Sequence, residues 1–131
     1  MKVLVKIGSY AKKEDWIIDD LKAVIEEGIN DEVTVFATQE IRKTSNPKKH
    51  ELLKNSMFAF FPCWDATDRH QHISNGVIQF DLEAKDNDEQ TLQQINDFAK
   101  SHPASLYSFR SPRNGLKFAL HTDFHENFKP D

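Results

Sequence analysis

One eight-residue stretch, Gly76–Glu83 (G-V-I-Q-F-D-L-E), constrains the fold more than any other. Side chains alternate faces along a β-strand. Ile78, Phe80 and Leu82 therefore point one way, and Val77, Gln79, Asp81 and Glu83 the other. The apolar set needs a helix or a second sheet to pack on. The opposite set ends in two carboxylates, about 6–7 Å apart along the strand from the rise per residue. Like charges at that spacing repel, so the pair belongs on a wet edge or around a cation. Mg²⁺ takes oxygen ligands and commonly uses one or two carboxylates plus substrate phosphates. The same residues also read as a strand running out into a solvated acidic loop, Ala84–Glu89.

With 131 residues the chain is long enough for one domain with a single core. The formal charge of −4 means that any polyanion site must be a local basic patch. A single cysteine, Cys63, excludes an internal disulfide framework and fits a reducing compartment. No apolar run approaches the roughly 18 residues of a membrane span, and the N-terminus lacks a signal-peptide block. The expectation is a cytoplasmic chain with no membrane partner.

Taken in order, Lys2–Ile7 alternates as a strand with one face wetter than the other. Trp16, Ile17, Leu21, Val24 and Ile25 recur at helical spacing, and Gly28 is expected to stop that helix. Glu32–Phe36 is β-branched enough for a second strand. A basic stretch follows, with Arg42 and Lys43, then Pro47 opening a short helix over Lys48–Lys54 that includes Lys49. Met57–Phe61 reads as a buried strand, and Asp65–Asn75 as a polar, turn-rich segment. His70-x-His72 within it can ligate a transition metal, but the signature zinc spacings are missing.

After the carboxylate strand, Asp88 or Thr91 opens a helix with Leu92, Ile95, Phe98 and Ala99 on its inner side. Ala104–Phe109 returns as a strand and Ser111–Gly115 makes a turn. In a final strand, Leu116, Phe118 and Leu120 face inward, with Lys117, Ala119 and His121 opposite. Ser111, Arg113, Lys117 and the backbone N–H groups of Arg113–Gly115 are phosphate-compatible donors. The alternative is a plain hairpin with a solvent-facing lysine. If the last strand lies beside the carboxylate strand, Lys117 and His121 share a face with Asp81 and Glu83.

The order F-D-L-E, helix, S-x-x-S-P-x-N-G-L-K-F resembles the primase-polymerase superfamily of archaeo-eukaryotic type. It is most similar to the VirE-type N-terminal domain of mobile-element and phage replication proteins. Ile41–Thr44 (I-R-K-T) and His50–Pro62 are similar to that family's basic stretch before the acidic strand. The resemblance implies an α/β (α+β) fold, a mixed sheet with helices on one face, like the front part of a primase-polymerase catalytic domain. It makes residues 1–131 one domain or a truncated one, with an N-terminal part to residue 75 and the acidic strand, helix and hairpin from 76.

It further implies Mg²⁺ or Mn²⁺ held by Asp81 and Glu83 as the catalytic pair. Ser111, Arg113, Lys117 and His121 would contact a nucleoside triphosphate. Arg42, Lys43, Lys48 and Lys49 would follow a single-stranded DNA template. A helicase or C-terminal replication module is the implied protein partner. The reaction would be nucleotidyl transfer, completed by a third acidic motif. The family's second motif commonly carries histidine where this chain has Lys117, and Asp123 continues the Lys117/His121 face without matching the third motif. The alternative function is a non-catalytic nucleotide- or DNA-binding replication module.

Overall fold

The computed structural model describes residues 1–7, 15–66 and 72–122. The chain is of the mixed α/β class, divided into two compact units, Met1–Ile73 and Ser74–Asp131. Its strands lie in separate sheets, and every strand pair with a defined register is antiparallel, in place of one mixed sheet.

In the first unit, β1 (Lys2–Ile7) is the central strand between β2 (Ile17–Asp20) and β3 (Phe58–Phe61). Val3, Leu4 and Val5 are all buried, Leu4 at 4% exposure. The expected wetter face is therefore absent at Leu4, because a central strand covered on both sides needs no polar alternation. Residues Ile17–Asp20, expected to be helical, pair with β1 instead, from Val5↔Ile17 to Lys2↔Asp20. The helix begins only where Asp20 caps it, accepting the Lys22 N–H at 3.2 Å. This helix, α1 (Leu21–Asn30), buries Leu21 and Val24 and runs through Gly28 without stopping.

The segment Glu32–Phe36, expected as a strand, opens α2 (Glu32–Lys43). Asp31 caps it, its carboxylate accepting the Thr34 N–H at 2.8 Å, and Ala37 and Ile41 form its buried stripe. A good cap and a stripe at i, i+4 outweigh the weak helix propensity of two valines and a threonine. Next, α3 (Pro47–Lys54) starts as expected at Pro47, with Asn46 accepting the N–H groups of Lys48 and Lys49. The His50 ring nitrogen bonds the carbonyls of Ile41 and Thr44 at the C-terminal end of α2, where Ile41 also accepts the Thr44 N–H. Strands β4 (Trp64–Ala66) and β5 (His72–Ser74) pair in a two-stranded sheet within the segment expected to be turns. His70 lies outside the described residues.

The second unit is β6 (Val77–Leu82), α4 (Glu89–Ser101), β7 (Ser105–Arg110) and β8 (Leu116–His121), with sheet order β6-β8-β7. Both outer strands are antiparallel to β8, so they run parallel to each other and α4 carries the chain between them. Asp88 caps α4 through the Thr91 N–H at 2.7 Å. Leu92 and Ala99 pack on Leu116 and Phe118, joined by Leu82, Ile95 and Leu120. Fully burying Leu92 and Leu116 contributes about 1.5–3 kcal/mol each. Phe98, expected inside, is 62% exposed, and the polar Asn96 is buried in the same helix. Asn96 is matched by Ser108, whose hydroxyl donates to its side-chain oxygen, so a polar pair occupies the inner face.

Candidate functional site

The pairing register decides which side chains share a face. Asp81 lies opposite Lys117, and Lys117 opposite Phe109. Ser108 bonds α4 through Asn96, and Arg110 bonds it through Glu89, so the even-numbered residues of β7 face the helix. Phe109, Lys117 and Asp81 thus form one cross-strand row on the opposite face. The next row is Tyr107, Ala119 and Gln79, with the Tyr107 hydroxyl donating to Gln79 Oε1 across the small alanine. Tyr107 and Phe109 stack with centroids 5.5 Å apart.

The Asp81 and Glu83 side chains are both more than half exposed. Lys117 Nζ stands 3.8 Å from Asp81 Oδ2, and Lys85 Nζ 3.2 Å from Glu83 Oε2. Each carboxylate therefore has its own lysine, which offsets the repulsion expected between them. Two exposed carboxylates at a strand end fit the sparse protein ligation that Mg²⁺ or Mn²⁺ accepts when phosphates and water fill the other positions. Among the described residues, no group of three or more His, Cys, Asp and Glu side chains converges to hold an ion.

The turn behaves differently from the expected phosphate cradle. Ser111 is buried, and its Oγ accepts the Gly115 N–H at 2.9 Å. The Asn114 N–H bonds the Ser111 carbonyl, and the Ser111 N–H bonds the Gly115 carbonyl, both at 2.9 Å. Two of the three backbone donors assigned to a ligand are thus used in closing the turn, one of them given to the Ser111 hydroxyl oxygen. Gly115 lets the turn approach β6: a Cβ here would stand 2.4 Å from the Leu82 carbonyl oxygen.

His121 pairs with Val77, four residues along β8 from Lys117, which is about 13 Å by strand rise. Its ring nitrogen lies 3.0 Å from the Asn75 carbonyl. The face is shared with the carboxylates, but the site is not. Arg113 is exposed on the turn. Arg42 and Lys43 close α2, where cations suit the helix dipole, and Lys48 and Lys49 open α3. Lys43 pairs with Glu40 at 3.2 Å. These four belong to Met1–Ile73, whereas the carboxylate row belongs to Ser74–Asp131. Asp123 lies outside the described residues.

Two aromatic residues of this face, Tyr107 and Phe109, escaped the sequence reading. The signal was their i, i+2 spacing in L-Y-S-F-R, which puts both rings on one side of a strand. Phe109 is 38% exposed beside the lysine. No helix among the described residues is long and apolar enough to cross a membrane. No protein family, curated protein or solved structure matches the chain.

Proposed function

We propose that the face of β6, β8 and β7 binds a divalent metal–nucleoside triphosphate complex, as part of a cytoplasmic primase-polymerase-like replication protein. The observation that carries this reading is the Asp81–Lys117 pair at the exposed end of this sheet face, with Phe109 in the same row and the exposed Glu83 two residues beyond Asp81. Asp81 and Glu83 would hold the cation, which would supply charge neutralisation on the phosphate oxygens and activation of a 3′-hydroxyl. Lys117 exchanges its carboxylate partner for phosphate, and Arg113 reaches the outer phosphates from the turn. The exposed Phe109 ring offers the base a stacking surface, which is tolerant of sequence because every base has a π-face. The basic residues 42, 43, 48 and 49 serve the template strand, and a third acidic group completes the transfer.

A second reading, a binding module without catalysis, draws on the turn. With the Asn114 and Gly115 N–H groups engaged internally, phosphate recognition rests mainly on side chains. Metal-dependent incorporation of a labelled nucleotide separates the two readings.

Binding itself is tested by calorimetric titration with a nucleoside triphosphate, with and without Mg²⁺ or Mn²⁺. Lys117→Ala should lower affinity about tenfold or more, the worth of a charge-assisted contact at roughly 1.5–3 kcal/mol. Unchanged affinity in a folded variant removes Lys117 from the site. Phe109→Ala should weaken the triphosphate by about 1–3 kcal/mol, as lost stacking does, and leave inorganic tripolyphosphate unaffected.

A further inference from the structure

Strand β6 is an outer strand of its sheet, and α4 packs on β7 and β8. The helix-side residues of β6 are consequently left open, with Ile78 47% and Phe80 39% exposed. Phe80 stacks face to face on Phe118 of the neighbouring strand, centroids 4.6 Å apart, which holds its ring in place rather than free to fold away. An outer strand with apolar side chains and unpaired backbone groups is a template for another strand.

We propose that this strand pairs with β6 of a second copy of the chain, antiparallel, about a two-fold axis through Phe80. The backbone selects that register. The Thr122 N–H bonds the Gly76 carbonyl at 2.9 Å, and Gly76 and Thr122 extend the β6–β8 register by one step. Hydrogen-bonded positions alternate along an antiparallel strand. Ile78, Phe80 and Leu82 therefore turn their backbone groups toward β8, while Val77, Gln79 and Asp81 turn theirs outward. The Val77 N–H is already taken by the Asn75 side chain at 3.0 Å. The outward donors are then those of Gln79 and Asp81.

An axis through Phe80 sets Gln79 of each copy opposite Asp81 of the other, giving four backbone hydrogen bonds from these donors and acceptors. An axis through Gln79 would need the Val77 N–H that Asn75 occupies. An axis between residues would oppose groups already bonded to β8.

Side chains agree with the same register. On the helix side, Phe80 meets Phe80 and Ile78 meets Leu82, so apolar faces apolar. On the other side, Gln79 meets Asp81. Tyr107 donates to Gln79 Oε1, which leaves the amide NH₂ to donate to the carboxylate of the second copy. No carboxylate opposes a carboxylate. The product is a six-stranded sheet with an isologous two-fold contact, the commonest symmetry for a homodimer.

The test is sedimentation velocity on the full chain over a concentration series. The mass should rise from one chain toward twice that value. Gln79→Glu places like charges opposite each other twice and should weaken association about tenfold. Gln79→Lys should tighten it against Asp81. Ile78→Lys, at a position already half exposed, should abolish it. In a Cys63→Ser background, Phe80→Cys should give a disulfide-linked dimer, since the two positions face each other across the axis. Circular dichroism and thermal unfolding of dilute samples establish that each variant folds. A single-chain mass at the highest attainable concentration overturns the proposal, and so does a dimer indifferent to the charge at position 79.

Discussion

Gly115→Ala should lower the stability of the unit Ser74–Asp131 by about 2–3 kcal/mol, the cost of overpacking a close backbone contact. The argument is steric. The new methyl carbon would stand 2.4 Å from the Leu82 carbonyl oxygen and 3.0 Å from Ser111 Oγ. Neither neighbour yields cheaply: Leu82 ends a strand paired residue for residue with β8, and Ser111 Oγ holds the Gly115 N–H. Alanine also restricts the unfolded chain, which returns only about 0.4–1 kcal/mol. Urea unfolding should show the midpoint falling sharply. Asn114→Gly is the contrast, since Asn114 sits at φ 62° where glycine is at ease. That variant should change stability little or raise it. Equal midpoints for Gly115→Ala and the native chain would mean that the turn does not approach β6 this closely.

The second unit was more legible in the sequence than the first, for a physical reason. From Val77 onward, apolar residues alternate on both strands that meet, and helix α4 carries its stripe and its Asp88 cap together. Period, cap and turn signals all agree there, so the adjacency of β6 and β8 could be read in advance. At Glu32–Phe36 they conflict. Two valines and a threonine suggest a strand, whereas the helix depends on Asp31 before them and on Ala37 and Ile41 after them. At Trp16–Asp20 the helical spacing continues through residues that β1 recruits as a neighbour, and pairing with a distant strand leaves no local mark.

The residues of the candidate site divide in the same way. That Lys117 lies opposite Asp81 was legible because strand periodicity fixes faces. The hydrogen bonds of Ser111 and Gly115 were not, because their residue types serve a ligand or a turn equally well. Only the internal hydrogen bonds show that the turn uses them.

Arg110→Met should loosen the same hairpin from the other side. The guanidinium is the common partner of three residues: Glu89 at the start of α4 accepts two bonds at 2.6 and 2.7 Å, and in the turn the Asn114 carbonyl accepts one at 2.6 Å and the Gly115 carbonyl one at 3.1 Å. Methionine keeps the stem and removes every donor. Loss of the carbonyl contacts alone should cost about 1.5–3 kcal/mol, as bonds from a charged donor do.

The Glu89 part is identified by pH. Hydrogen bonding to Arg110, followed by its charge, holds the Glu89 carboxyl below its ordinary value of 4.5. A carboxyl depressed by folding contributes stability above its unfolded pKa and loses it as pH falls through the folded value. The native chain should therefore weaken on acidification below about pH 4.5, where the unfolded state takes up the proton first. Asp88 is lowered chiefly by the Thr91 N–H and should weaken the native and variant chains alike. Unfolding midpoints near pH 7 and about pH 3 should then show the Arg110→Met deficit shrinking in acid without vanishing, because the carbonyl contacts do not titrate. A deficit of the same size at both values would mean that Glu89 adds nothing to the clasp.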